Sequence, residues 1–182
     1  MFQILAEKVI SGLAAFSMLL LSSYQGNDAS FSTYRTSFLD DRMFFECKLE
    51  NTFENDFEEI FKSGQIIDIF FNVNIHYSGS VIHEEEFRHS IIFDPLTQLF
   101  SIELEDQELT FSTNSYNELK KLISNIEYSF KDENIKDCTM TMNAYLPKIR
   151  LIALNKDFDL MMLWKYSQPK ITLSLARDFY ED

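Results

Sequence analysis

Ile67, Ile69, Phe71, Val73, Ile75 and Tyr77 alternate with Asp68, Phe70, Asn72, Asn74 and His76. Successive side chains on a strand point to opposite faces, so this spacing commits the segment to a strand with one buried face. A slip of one residue in pairing would turn the whole apolar row to water. The same period recurs at Met43, Phe45, Cys47 and Leu49, at Phe87, His89, Ile91 and Phe93, and at Phe100, Ile102 and Leu104. It returns at Cys138, Met140, Met142, Ala144 and Leu146. Asp94-Pro95-Leu96-Thr97 reads as a turn, because proline pre-sets the backbone at its second position. Ser78-Gly79-Ser80 reads as a hairpin tip, and further strands are expected near Ile149–Ala153, Asp159–Tyr166 and Ile171–Ala176.

Two segments carry the helical period instead. Phe53, Phe57, Ile60 and Phe61 predict a helix over Phe53–Lys62, capped by Asn51 with Glu54 as reciprocal partner and stopped by Gly64. Leu119, Leu122, Ile123, Ile126 and Phe130 predict a second helix over Tyr116–Phe130, opened by a capping box of Ser115 and Glu118. The expected order is β-β-α-β-β-β-β-α-β-β-β-β. Short turns between consecutive strands imply antiparallel pairing. The fold class is therefore α+β, an antiparallel β-sandwich or a curved sheet with two helices. No repeat or linker interrupts the pattern, so residues 24–182 form a single β-rich domain.

The N-terminus is of another kind. Val9 to Leu21 holds no charge. Those about 13 residues would make a helix of near 20 Å. That is short for a bilayer core of about 30 Å, but it fits the apolar region of an export signal, about 7–15 residues. Lys8 precedes it, offset by Glu7, and the small residues Ser22, Ser23 and Gly26 follow. Residues 1–23 are thus expected to be a signal peptide or an N-terminal anchor, with a helix packed on the fold as the remaining reading. No cysteine follows the apolar run, which speaks against a lipid-modified lipoprotein. Membrane association is expected only through residues 1–23, if they are not cleaved.

The order of features resembles a known family. A small-residue signal precedes a strand pair, a helix ends in Ile60-Phe61-Lys62-Ser63-Gly64, and a long alternating strand follows. His89-Ser-Ile-Ile-Phe-Asp-Pro-Leu-Thr-Gln-Leu-Phe100 then resembles a strand, an aromatic-Asp-x-Leu-Thr turn and a second strand ending in an aromatic. The capped Ser115-Tyr-Asn-Glu-Leu-Lys-Lys-Leu segment and Trp164-Lys-Tyr-Ser167 complete the likeness. Together, over about Ala29 to Leu175, they resemble the bacterial envelope family catalogued as domain of unknown function 4390. Phe93 stands where that family suggests Tyr, and the Trp pair associated with the preceding strand is missing. The resemblance implies an extracytoplasmic location, periplasmic or membrane-associated, and a style of fold; it implies no mechanism.

Signatures of chemistry are sparse. Sixteen Lys and Arg against 29 Asp and Glu leave a net charge of −13, which argues against a phosphate-binding surface and a nucleic-acid partner. Four scattered glycines build no phosphate loop. His83-Glu-Glu-Glu-Phe-Arg-His89 lacks the one-turn histidine spacing of zinc proteases, though His76 is positioned to approach His83 across the hairpin. It reads as a solvated acidic hairpin with surface histidines, with weak divalent-cation binding by Glu84, Glu85 and Glu86 as the alternative. Cys47 and Cys138 fall on apolar strand faces, where they are either two buried thiols or one disulfide. Carboxylates pair or cluster at Asp40 and Asp41, at Glu58 and Glu59, and at Glu103, Glu105 and Asp106, as an acidic chain makes common by chance. Trp164 beside Tyr166 is either core or a stacking platform. No catalytic, cofactor-binding or metal residue is assigned and no cofactor is expected. The leading reading is an exported, non-catalytic envelope protein that binds a partner protein. One alternative is a carrier of an apolar ligand such as a lipid, lined by some of the 18 Phe, seven Met and eight Tyr. The other is a hydrolase with an acidic site around His83–Glu86.

Overall fold

The computed structural model describes residues 26–32, 34–39, 42–55, 57–131, 138–151 and 155–175. The expected signal or anchor, residues 1–23, lies outside them, as do Asp40 and Asp41. In chain order the elements are β1 (Ser30–Phe31), β2 (Arg35–Leu39), β3 (Arg42–Glu50), α1 (Phe57–Phe61), β4 (Ile67–Tyr77), β5 (Ser80–Asp94), β6 (Leu99–Leu104), β7 (Leu109–Thr113), α2 (Tyr116–Ser124), β8 (Asn125–Lys131), β9 (Thr139–Tyr145), β10 (Lys148–Leu151), β11 (Lys156–Asp159) and β12 (Lys170–Ser174). Short 3₁₀ turns occupy Glu105–Gln107 and Leu160–Trp164.

The larger sheet runs β12-β9-β4-β5-β6-β7, antiparallel throughout. In the smaller sheet β3 pairs with β8 on one side and with β2 and β1 in succession on the other. The two sheets pack face to face. Tyr128 of β8 stacks on Phe87 of β5 with ring centroids 6.0 Å apart, and Phe130 lies 4.4 Å from the His83 ring. This is the sandwich form of the expected α+β fold. Its alternating rows (Met43 to Leu49, Ile67 to Ile75, Met140 to Ala144) form one continuous buried cluster with the helix residues Phe57, Ile60, Phe61, Leu119 and Ile123. Ser78 and Gly79 both have positive φ (48° and 82°), the backbone of a two-residue type I′ turn that matches the strand twist. The Asp94 carboxylate holds the next turn by accepting from Leu96 N–H and the Thr97 hydroxyl, each at 2.8 Å.

Three expectations need correction. The first helix is only Phe57–Phe61, and Asn51 is no cap, since it and Asn55 have positive φ (54° and 59°). The carbonyls that a longer helix would use are held from elsewhere. Trp164 Nε1 donates to Thr52 O (3.0 Å), the Tyr116 hydroxyl to Phe53 O (2.6 Å), and Asn27 Nδ2 to Thr52 O and Glu54 O (3.3 and 3.4 Å). The second helix stops at Ser124, and residues 125–131 are β8. Ile126 and Phe130 fit the helical period, but with Tyr128 they also alternate, and the free side of β3 takes them as a strand. Ser115 does cap α2 by accepting from Glu118 N–H, while the Glu118 carboxylate accepts from the Thr113 hydroxyl instead of closing the box. Finally, the strand expected over Asp159–Tyr166 ends at Asp159, whose carboxylate caps a 3₁₀ turn by accepting from Met161 N–H at 3.0 Å. The turn buries Leu160, Leu163 and Trp164.

Gly26 and Asn27 are tied to the body of the fold. Asn27 N–H donates to Leu163 O (2.8 Å) and its side-chain oxygen accepts from Asn55 Nδ2 (3.1 Å). A Cβ on Gly26 would stand 2.7 Å from a Lys165 side-chain carbon, and φ there is +66°, so only glycine fits this approach.

Candidate functional site

The side of the sandwich where β5 and β8 face each other gathers most of the singled-out residues. β6 ends at Leu104, and the chain turns across the gap between the sheets as Glu105-Asp106-Gln107. Each of these side chains closes a backbone group that has lost its neighbouring strand. Glu105 accepts from Arg88 N–H of β5 (3.0 Å) and from Arg88 Nε (2.8 Å). Asp106 accepts from Glu127 N–H of β8 (2.9 Å), and Gln107 donates to Asn125 O of β8 (3.4 Å). Three consecutive residues thus do the work of a missing strand for both sheets. The acidic cluster read from the sequence is therefore split: Glu103 lies on β6 outside the turn, Glu105 pairs with Arg88, and Asp106 is buried.

His89 is not a surface histidine. Its side chain and that of Asp106 are both 0% exposed. Nδ1 lies 3.0 Å from Ile123 O and Nε2 2.8 Å from Asp106 Oδ1. A carbonyl oxygen only accepts, so Nδ1 carries a proton, and a second proton lies between Nε2 and the carboxyl. The ring packs against Phe71, centroids 4.8 Å apart, which seals the pair from water.

His83 sits further along the same inner face and is half-buried. Its Nε2 lies 3.1 Å from Glu85 Oε2 and 3.0 Å from the Tyr128 hydroxyl, which donates to the same carboxylate oxygen at 2.9 Å. Burial first, then the Glu85 charge and the hydrogen bond to it, push the Tyr128 phenol well above its ordinary value, so it remains a donor. His76 does not join them. Ile75 stands opposite His83, His76 opposite Val81, and a bulge falls between. Among the described residues no group of three or more His, Cys, Asp or Glu side chains is placed to hold a metal ion.

Cys47 and Cys138 are both buried, as thiols and not as a disulfide. Burial, and secondarily the Asp106 charge, push the Cys47 thiol up to about 12, which suppresses the thiolate that nucleophilic chemistry needs. We therefore expect titration under native, non-reducing conditions near neutral pH to leave Cys47 unmodified, and denaturant to release two thiols per chain. A denatured count of zero would mean a disulfide. Glu58 and Glu59 lie on α1, where Glu58 pairs with Lys62 at 2.5 Å on the surface. Trp164 is core, while Tyr166 is 69% exposed, so the two form no joint platform. A shallow groove of about 320 Å³ at the end of β3 is lined by Lys48, Glu50, Glu54, Lys120 and Lys121, a polar surface with Lys120 already tied to Glu54 at 3.1 Å.

Besides the outer sides of β7 and β12, which pair with no further strand among the described residues, the arrangement leaves a lane of backbone open within the sheet. β5 spans Ser80–Asp94, but β6 covers only His89–Asp94 on its outer side. Arg88 N–H points into the uncovered lane, where Glu105 meets it. Glu84 and Glu86 share its direction because backbone groups alternate along a strand. Neither makes a backbone bond on that side among the described residues, and both side chains are exposed. Sequence alone marks this stretch only as acidic, because Glu84-Glu85-Glu86 masks the alternation, and strand pairing is needed to see that β5 outruns β6. No family model, no curated protein and no solved structure matches the chain.

Proposed function

We propose that this chain is an exported, non-catalytic envelope protein that holds a partner protein by accepting one of its strands beside β5. The observation that carries the reading is the uncovered lane at Glu84 and Glu86, whose N–H and C=O groups face away from the side of β5 that β4 pairs, beyond the end of β6. Such an edge supplies main-chain hydrogen bonds to an extended segment. Export is supported by the uncharged run from Val9 to Leu21 and by the envelope-family resemblance. The aromatic residues an apolar-ligand carrier would need, such as Phe45, Phe53, Phe57, Phe71 and Phe100, pack into the common core.

A photo-reactive residue placed at Ile82 in the full-length chain, in its own host, tests the reading. We expect a discrete adduct from the extracytoplasmic fraction, with the mature chain starting near Tyr24 or Gly26. Glu84→Pro should suppress the adduct, since it removes an N–H that points into the lane and leaves the β4–β5 ladder intact. The same probe at the exposed Tyr166 is the control. Absence of an adduct at Ile82, or equal adducts at both positions, would refute strand acceptance.

A further inference from the structure

We infer that the segment accepted beside β5 is basic, with Lys or Arg alternating with apolar residues; this rests on the strand-accepting reading above. The outer face of the lane presents Glu84 and Glu86. Glu84 has no side-chain partner among the described residues, while Glu86 accepts only the Tyr145 hydroxyl, at 2.9 Å. Neither carboxylate is paired with a cation among the described residues, and the nearest arginine on the strand, Arg88, is occupied by Glu105 and stands 3.9 Å from Asp68. Cross-strand neighbours lie about 5 Å apart, so side chains of an incoming strand on this face meet the two carboxylates directly. Opposite charge is favourable there and like charge is not.

The inner face asks for something different. Incoming side chains that point inward border Phe87 and Tyr128, which are buried, and the half-buried His83, while the Glu85 carboxylate on this side is already engaged by His83 and the Tyr128 hydroxyl. Apolar or β-branched residues suit that side. The two faces together specify an alternating basic and apolar segment, which the net charge of −13 also steers toward the protein.

Charge also argues against a second copy of this chain. Antiparallel pairing of two β5 edges centred on Glu85 would set Glu84 and Glu86 of one copy against Glu86 and Glu84 of the other, and the neighbouring cation, Arg88, is already held by Glu105. Like charges directly opposite destabilise a pair, and Ile82, the extra residue at the bulge, bends the strand end away from flat self-pairing.

Two synthetic peptides test the inference on the mature chain: acetyl-Lys-Val-Lys-Val-Lys-Val-amide and its Glu-Val counterpart. The basic peptide should slow hydrogen exchange at the Glu84 and Glu86 amides, with affinity falling as salt is added. The acidic peptide should leave both amides unprotected. The double variant Glu84→Lys, Glu86→Lys should weaken the basic peptide about tenfold. Equal protection by the two peptides, or binding of the basic one without protection at these amides, would overturn the inference. A partner crosslinked at Ile82 through a neutral or acidic segment would also overturn it while sustaining strand acceptance. Peptide protection with no crosslinked partner would sustain the charge preference and count against the proposed function.

Discussion

His89→Ala will destabilise the fold by about 3–5 kcal/mol, from the buried polar groups it leaves unpaired and the void it opens. The loss has three sources. The Asp106 carboxyl, 0% exposed, keeps only the Glu127 N–H as donor. The Ile123 carbonyl loses the proton on Nδ1. A void opens beside Phe71 and Phe87, whose rings lie 4.8 and 6.2 Å from the imidazole. Urea denaturation at neutral pH measures the effect as a fall in midpoint at unchanged slope. Asp106→Ala alone should also be costly, because it strands both the ring Nε2 and the Glu127 N–H. The double variant should cost clearly less than the sum of the two, since neither partner is left behind. Additive losses would mean that the pair is not a unit. Where His89→Ala is too unstable to purify, His89→Gln retains a donor and should fall between wild type and the alanine variant. For a domain of ordinary stability, about 5–15 kcal/mol, the alanine change alone consumes a large share.

The same pair marks the boundary of what the sequence discloses. Alternation along Ile67–Ile75 places each of those side chains correctly, because period two depends only on neighbours along one strand; Tyr77, expected in the same row, is exposed at the hairpin end. It also puts His89 in the apolar row with Phe87, Ile91 and Phe93. What it cannot supply is the partner. Asp106 comes from a turn 17 residues on and Ile123 from a helix 34 residues on, brought together only when β6 ends early and the chain crosses between sheets. The helix-to-strand change at Asn125 fails for a related reason. Leu119, Ile123, Ile126 and Phe130 suit the helical spacing, and only the unfilled side of β3 decides that the last two belong to a strand. Likewise Thr52 and Phe53 look helical until Asn27, Trp164 and Tyr116 claim their carbonyls. The open lane on β5 is a difference in length between two paired strands, a property of no single segment.

Above about pH 9 the protein should lose stability steadily, and Cys47 should set where the loss begins. Its thiol ionises at an ordinary 9.0 in the unfolded chain and is pushed up to about 12 in the fold, by burial first and the Asp106 charge second. Tyr128, ordinarily 10.0, is raised further still by burial and by Glu85. In both cases the folded state holds its proton more tightly than the unfolded state. The stabilisation is therefore complete below the unfolded values and is lost as pH climbs through the window from 9 toward 12 for Cys47. The greatest slope is about 1.4 kcal/mol per pH unit for each such group, so Cys47 alone removes at most about 4 kcal/mol across the window. Urea midpoints taken at neutral pH and at successive steps above 9, with reductant present, should be level at first and then fall. Cys47→Ala should delay the onset by about one unit, to where Tyr128 begins to act, and Tyr128→Phe should flatten the upper part of the curve. Other sources of alkaline loss act in wild type and variants alike, so the comparison isolates Cys47 and Tyr128. A Cys47→Ala profile that merely runs parallel to wild type would show that the thiol between the two sheets does not govern the alkaline limb.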